Sequence, residues 1–587
     1  MSSDFQVTGN NDAALFTLKI HRGDGMALLA MNWKNGIPPK DFVGWAIEYK
    51  EPGGSKFFQL KNRLAFPGPL GQVNPNSKST RFSPIQMFRW VHFPRNAELP
   101  GDFTYNVMPV FMNSVDELSY GEPQRASLEL RRETYPDQLN VAFTRGFVAS
   151  QAFVDKYGGK TDKETAKLIS GLLPGKAAGG LSFTLSHPKA EEALAWMGFE
   201  ARSAILELLD QAIADKTAQV RAVVYDLNEP GMVSRLEKLK KRLKIIIDND
   251  GSHGETGSAE NEAEKRLIAT AGAANVKRQH MGKLQHNKTI VVDGSKVQAA
   301  LAGSTNHSWR GFFVQNNNAI ILRGQGPVKL FNDAFQSYWD SGDSAKKFSG
   351  TGSAKWNDLG LTGIDAQIGF SPRSAKNAVL KSIADDIAKN TKSNLFFSLA
   401  FLYQTPGPIR DAIKKKQQEK EIFSYGLSDH AVKGLDGEPE VGGLDVAKPD
   451  GSVTLVQPAA LSEHVPEPFK SEPTGGGGTR MHHKFIVIDF DQPTARVYMG
   501  SFNFSGAADT SNGENLLLLR DRRIAVSYVV QALSMFDHYH FRVLQAEAKT
   551  AKKKLQLAKP PRTAGEKAWW ESFYTNPRKI RDRQVFA

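Results

Sequence analysis

The chain has 587 residues and no cysteine, so disulfides and thiolate chemistry are excluded, and its 40% hydrophobic and 23% charged content suits a globular protein of several domains. A formal charge of +13 and a pI near 9.4 favour polyanionic partners, either nucleic acid or an anionic lipid surface. The opening residues lack the basic and apolar regions of a signal peptide, and no apolar run approaches the roughly 20 residues of a membrane span, so a cytoplasmic protein is expected, with non-classical export as the alternative.

Residues 1–135 are rich in proline and glycine between short alternating runs. Val43, Trp45, Ile47 and Tyr49 form one such run and Phe103, Tyr105 and Val107 another, the period-two signal of half-buried strands. An antiparallel β-sandwich is predicted here, resembling a fibronectin III or immunoglobulin-like module in architecture. Its expected role is accessory, as a site for a protein or carbohydrate partner.

From residue 136 the texture changes to strands alternating with helices, which predicts α/β layers. Strands are expected at 139–143, 220–225 and 243–247, with an amphipathic helix at 201–214 and a basic helix at 232–241. The same order returns as 366–370, 377–389, 394–400, 408–417 and 422–425, and further helices begin near Val328 and Ile524. The reading is two tandem α/β repeats with mixed sheets, 136–343 and 366–548, joined by a Gly/Ser/Lys-rich linker at 344–365 and followed by a basic tail at 549–587. Segments 248–264 and 436–451 are expected as surface loops, with substrate gating as the alternative, and Gly475–Gly478 as a flexible connector. Basic clusters at Lys238–Lys244, Lys414–Lys416 and Lys549–Lys554 are expected on exposed helix faces. The aromatic stretch Trp569-Trp570-Glu571-Ser572-Phe573-Tyr574 is expected to dock over the second repeat, with base stacking or a lipid interface as alternatives.

Each repeat contains the same signature. His286-Asn287-Lys288 is followed after four residues by Asp293 and then by Gly303-Ser304-Thr305-Asn306; His482-His483-Lys484 is followed by Asp489 and then by Gly500-Ser501-Phe502-Asn503. Within each motif His and Lys are two apart, which on a strand puts them on one face. Two imidazoles, Lys288 and Lys484, Asn306 and Asn503, and Ser304 and Ser501 suit a phosphodiester anion whose charge grows on nonbridging oxygens during attack. No set of metal ligands is evident in the spacing, so no cofactor and a metal-independent reaction are expected.

His-x-Lys-x4-Asp written twice, each copy followed by Gly-Ser-x-Asn, resembles the phospholipase D superfamily over roughly residues 136–548. The resemblance implies a covalent phosphohistidine intermediate, with one histidine attacking phosphorus and the other serving as general acid and base. It also implies that an acid eleven residues after the motif asparagine orients the histidine of the opposite half. Glu514 occupies that place in the second copy and Asn317 in the first, so His286 is expected as nucleophile and His482 as acid/base, with the support of His482 in question. Asp293 and Asp489 are expected to be structural. The second copy is similar to Nuc-type endonucleases, which tilts the expected substrate toward DNA or RNA; anionic phospholipid is the alternative, and a non-catalytic binding protein a remote one. One chain contains both halves, so a monomer suffices for one site, and a dimer is not excluded.

Overall fold

The computed structural model describes residues 5–62, 64–67, 78–130, 133–146, 157, 164, 167–168, 170–175, 177–419, 421–428, 432, 444–447, 453–456, 481–550, 552 and 555–587. They fall into two units, one of residues 1–132, 447–454 and 526–587, the other of residues 133–446 and 455–525.

The first unit contains two larger antiparallel sheets and a two-stranded one, Lys61–Asn62 with Lys78–Ser79. Of the larger two, one has the order Gln6–Thr8, Phe16–Arg22, Ala27–Trp33, Arg89–His92; the other runs Leu118–Tyr120, Asp102–Met112, Phe42–Lys50, Phe58–Gln59, with Gln124–Glu129 also on Asp102–Met112. Phe16, Leu18 and Ile20 of one sheet and Trp45, Ile47, Phe103, Tyr105 and Val107 of the other share a single core. Val43 departs from the expected alternation. The register shifts between Phe42 and Gly44, which turns Val43 to the opposite face, with Met108 and Val110. Gly44 has φ +131°, and a Cβ there would meet Ile85 O at 2.6 Å.

Residues 555–587 are no tail: they belong to the sandwich unit. Ala568, Trp570 and Phe573 are buried in the sandwich core, where Trp569 Nε1 donates to Phe42 O at 3.1 Å. Aromatic area of this size excludes water only inside a core, which overrides the basic composition around it. Arg89, 4% exposed, pairs with Asp537 at 2.6 Å and Asp582 at 2.9 Å. Lys549–Lys554 carries no described side chain apart from Lys552.

The second unit holds two mixed sheets with one strand order. The first runs Leu139–Phe143, Asn318–Arg323, Gln298–Gly303, Thr289–Asp293, Gln219–Val224, Leu243–Asp248, Val276–Gln279; only the last three strands are mutually parallel. The second sheet repeats it as Asp365–Ser371, Glu514–Arg520, Arg496–Gly500, Lys484–Ile488, Asn394–Leu399, Phe423–Ser428. The duplication expected from the motifs is therefore a duplication of the fold. Gly303 and Gly500 sit at matched strand ends with φ +133° and +151°, and a Cβ would meet Asn318 O at 2.5 Å or Asn515 O at 2.2 Å. That close approach requires glycine in both Gly-Ser-x-Asn copies.

Three expectations differ from the structure. The amphipathic helix runs Ala190–Ala214, with a break at Phe199 (φ 47°), longer than the apolar periodicity alone indicated. The linker is packed: Phe348 stacks on Tyr338 with centroids 4.1 Å apart, Leu359 is buried, and Asn357–Asp358 pairs with Asp365–Ser371. The 248–264 segment is ordered, as a turn at Gly251–His253 and the start of the helix Ala259–Ala271, capped where Ser258 Oγ accepts from Asn261 N at 3.2 Å. Of 436–451 only Leu444–Ala447 is described, and Gly475–Gly478 lies outside the described residues.

Removing Arg89 leaves Asp582, buried at 5% side-chain exposure, without its cation. Arg89→Ala is expected to lower unfolding free energy by about 3 kcal/mol, read as a shifted urea midpoint. An unchanged midpoint contradicts this account of the sandwich.

Candidate active site

His286 and Lys288 lie just before the strand Thr289–Asp293; His482 lies just before Lys484–Ile488, which Lys484 opens. Both histidines and both lysines are 5% exposed or less. Each ammonium donates back to the carbonyl of its own motif histidine, Lys288 Nζ to His286 O at 2.5 Å and Lys484 Nζ to His482 O at 2.7 Å. Tyr225 covers Lys288 Nζ at 4.5 Å and Phe401 covers Lys484 Nζ at 5.5 Å. The two imidazoles face each other with ring centroids 6.4 Å apart.

The two halves are locked by backbone bonds that also aim the histidines. His482 N donates to Asn316 O at 3.1 Å and Gly513 N to Leu284 O at 2.8 Å. Each half then supplies the Nδ1 partner of the opposite histidine. Glu514 Oε2 lies 2.8 Å from His286 Nδ1, and Asn317 Oδ1 lies 2.7 Å from His482 Nδ1. Asn317 Nδ2 donates to Gly311 O at 3.0 Å, which turns its carbonyl oxygen toward the ring. His482 therefore donates from Nδ1 and keeps its Nε2 lone pair when neutral.

Ser304 and Ser501 do not face a ligand as expected. Ser304 Oγ donates to Asn317 Oδ1 at 3.0 Å and Ser501 Oγ to Glu514 Oε2 at 2.6 Å, while each accepts the backbone N–H of Asn318 or Asn515. Buried hydroxyls beside a stronger acceptor are spent on it. The Oδ1 atoms of Asn306 and Asn503 are buried without a protein partner. Asp489 accepts the N–H groups of Lys392, Ser393 and Asn394 at 2.8–3.1 Å, and Asp293 accepts from Asn332 Nδ2 at 3.1 Å.

Burial sets the electrostatics. It pushes Lys288 down to about 7 and Glu514 up to about 8, the latter offset in part by Lys288 and the Ser501 hydroxyl. His286 and His482 are held well below the usual imidazole range, by burial first and then by the two lysines. His286, Lys288, His482 and Glu514 are thus each driven toward the neutral form, as low dielectric demands.

A cavity of about 510 Å³ opens on His286, His482, Asn306 and Arg310, and its other wall carries Asp226, His253, Glu255 and Glu260. None of Tyr225, Asp226, His253, Glu260 or Phe401 was singled out from the sequence. A usable signal existed for Asp226, which stands two residues past the C-terminal end of a strand whose neighbour is parallel, the customary edge for α/β sites. Among the described residues, Asp226, His253 and Glu260 each bring one potential ligand atom within 4.8 Å of the others, a cluster that the motif spacing did not show.

Two mixed sheets that each contribute a histidine, a lysine and the other's Nδ1 acceptor define a two-half histidine–lysine site. A family model described as "Cardiolipin synthase, PLD-like domain" matches residues 205–339 and 457–535, so these two stretches carry a phospholipase D-like domain. It is 46% identical over 48 residues to a phospholipase D of Rickettsia felis, covering 8% of this chain and 22% of that one, and 43% identical over 53 residues to one of Rickettsia bellii, covering 9% and 24%. The chain thus spans under a quarter of the length of the curated relatives it matches. Among solved structures it is similar to phosphatidylserine synthase of Haemophilus influenzae (12% identity, TM-score 0.39, 60% of this chain and 92% of that one). It is similar also to Nuc of Salmonella typhimurium (23% identity, TM-score 0.20, 24% and 88%).

The unequal acceptors predict unequal imidazoles. Asn317→Asp replaces a neutral acceptor of His482 with a charged one and is expected to raise that histidine's pKa, while Glu514→Gln is expected to lower that of His286. NMR titration of labelled imidazoles checks both, and an unmoved His482 in Asn317→Asp contradicts the assignment.

Proposed function

We propose that the protein is a phosphodiesterase that works without a metal ion through a phosphohistidine on His286. The observation that carries this reading is the pair of facing imidazoles, one with Nδ1 on a carboxylate and the other with Nδ1 on an amide oxygen. Attack forms a bond from His286 Nε2 to phosphorus as the bond to the leaving oxygen breaks. His482 gives that oxygen a proton, then takes one from a water that attacks phosphorus and releases His286. Imidazolium forms on His286 during attack, and Glu514 on its Nδ1 balances that charge, which supports His286 as nucleophile and His482 as acid/base. The anionic substrate offsets the two lysines and so raises His482 from its depressed state into the range of a proton donor. Lys288, Lys484, Asn306 and Asn503 hold the nonbridging oxygens.

The acidic wall of the cavity favours a phospholipid head-group ester. Asp226, Glu255 and Glu260 line it, and neighbouring phosphates of a polynucleotide would lie against those carboxylates, whereas a phospholipid brings one phosphodiester. One member of each of two basic clusters is also committed elsewhere. Arg242 donates to the carbonyls of Ala212, Asp215 and Ala218, and Lys416 to Thr391 O and Glu419. DNA or RNA is the second reading, supported by the +13 formal charge and by Arg310 in the cavity. The sandwich unit is read as an accessory, fibronectin III-like or immunoglobulin-like module for a protein or carbohydrate partner.

Incubation with phosphatidylcholine vesicles, DNA and RNA in EDTA is expected to give head-group release, abolished in His286→Ala. Cleavage of nucleic acid alone overturns the substrate reading, and phosphate mapped to His482 overturns the roles. Protonated Glu514 donates to Nδ1 of His286 and removes the Nε2 lone pair, so kcat/KM is expected to rise with pH through about 8. In Glu514→Gln that limb disappears and the rate falls roughly 10³- to 10⁴-fold.

A further inference from the structure

We propose that Asp226, His253 and Glu260 form a binding site for a divalent transition-metal ion, Zn²⁺ in type, on the wall of the cavity. One ligand atom from each residue lies within 4.8 Å of those of the other two. Ligand atoms around a tetrahedral ion with bonds of roughly 2.0–2.2 Å sit about 3.3–3.6 Å apart, so a modest inward side-chain adjustment completes the geometry. The three residues come from separate elements: Asp226 follows the strand Gln219–Val224, His253 ends the turn Gly251–His253, and Glu260 lies in the first turn of the helix Ala259–Ala271.

The imidazole is already oriented for a ligand. His253 Nδ1 is 2.9 Å from Asp248 Oδ2, and Asp248, fully buried, is itself fixed by the backbone N–H groups of Gln285 and Asp250. This is the carboxylate–histidine arrangement that sets the tautomer of a metal-ligating imidazole and leaves Nε2 for the ion. Glu260 is 3% exposed, its Oε1 accepts only a neutral partner, Leu227 N at 3.0 Å, and neither it nor Asp226 has a lysine or arginine ion-pair partner among the described residues. Two carboxylates and one imidazole on a wall open to the cavity form a donor set of mixed hardness, which favours zinc over magnesium or calcium.

The site is separate from the phosphohistidine chemistry but touches it through one ring. Tyr225 packs edge-on with centroids 4.5 Å from His253 and 4.7 Å from His286. An ion held here adds positive charge to the wall that would otherwise repel a second anionic group, and so widens what the cavity admits.

The test needs no turnover, so it stands apart from the proposed reaction. The full-length protein is equilibrated with Zn²⁺, dialysed against metal-free buffer and analysed for retained metal, with Co²⁺ absorption reporting coordination number. One Zn²⁺ per chain is expected, with a tetrahedral Co²⁺ spectrum, and at least tenfold weaker binding in His253→Ala and in Glu260→Gln. Asp248→Asn, which keeps the ligands and loosens the imidazole, is expected to weaken binding 10- to 100-fold. His286→Ala is expected to bind normally. No stoichiometric retention overturns the proposal, as does retention that survives in both ligand variants or is lost in His286→Ala. Matching thermal unfolding of variants and parent separates lost binding from lost fold.

Discussion

An imidazole removed from water must place its Nδ1–H on an acceptor, and in each half of this chain the acceptor comes from the other half. Glu514 serves His286 and Asn317 serves His482. Neither half can satisfy its own histidine, so the two mixed sheets must meet before either motif is complete. The surrounding polar network follows from that demand. Asn515 Nδ2 donates to Asn287 Oδ1 at 2.7 Å, and Asn515 Oδ1 accepts from both Gly303 N and Ser501 N at 3.2 Å, stitching strand ends of opposite halves together. Burying polarity in this way is tolerable where such bonds are made.

The duplication was legible in the chain because chemistry leaves its spacing intact. His-x-Lys, Gly-Ser-x-Asn and the eleven-residue step to Glu514 or Asn317 are local, and local order survives into three dimensions. What the sequence hides is which polar atoms face each other. Ser304 and Ser501 looked like ligand donors because hydroxyls donate, yet a nearby buried acceptor claims each. The segment 248–264 looked like a loop because glycine, serine and acids are turn formers; its acids instead serve a helix start, an imidazole and a cavity wall. Val43 shows the same limit in the sandwich, where one bulge turns a residue out of its expected layer.

Net charge was the least transferable signal. The basic balance of the chain suggests a polyanion-binding face, but Arg89, Arg242, Lys288, Lys416 and Lys484 spend their charge inside the protein on carbonyls or carboxylates. Unequal acceptors matter more for chemistry than the surplus does. A carboxylate behind His286 stabilises positive charge on that ring, whereas an amide behind His482 leaves its protonation to whatever anion enters the cavity.

The sandwich core draws on both early and late parts of the sequence: Phe16, Trp45 and Tyr105 on one side and Trp570 and Phe573 on the other. The two-sheet unit interrupts it in the chain. During synthesis the sandwich strands therefore leave the ribosome first yet wait for residues made last. At roughly 5–20 residues per second that delay is on the order of tens of seconds. The enclosed unit has its core residues before the enclosing one does, and the unfinished sandwich is the species for which a chaperone would have most to cover.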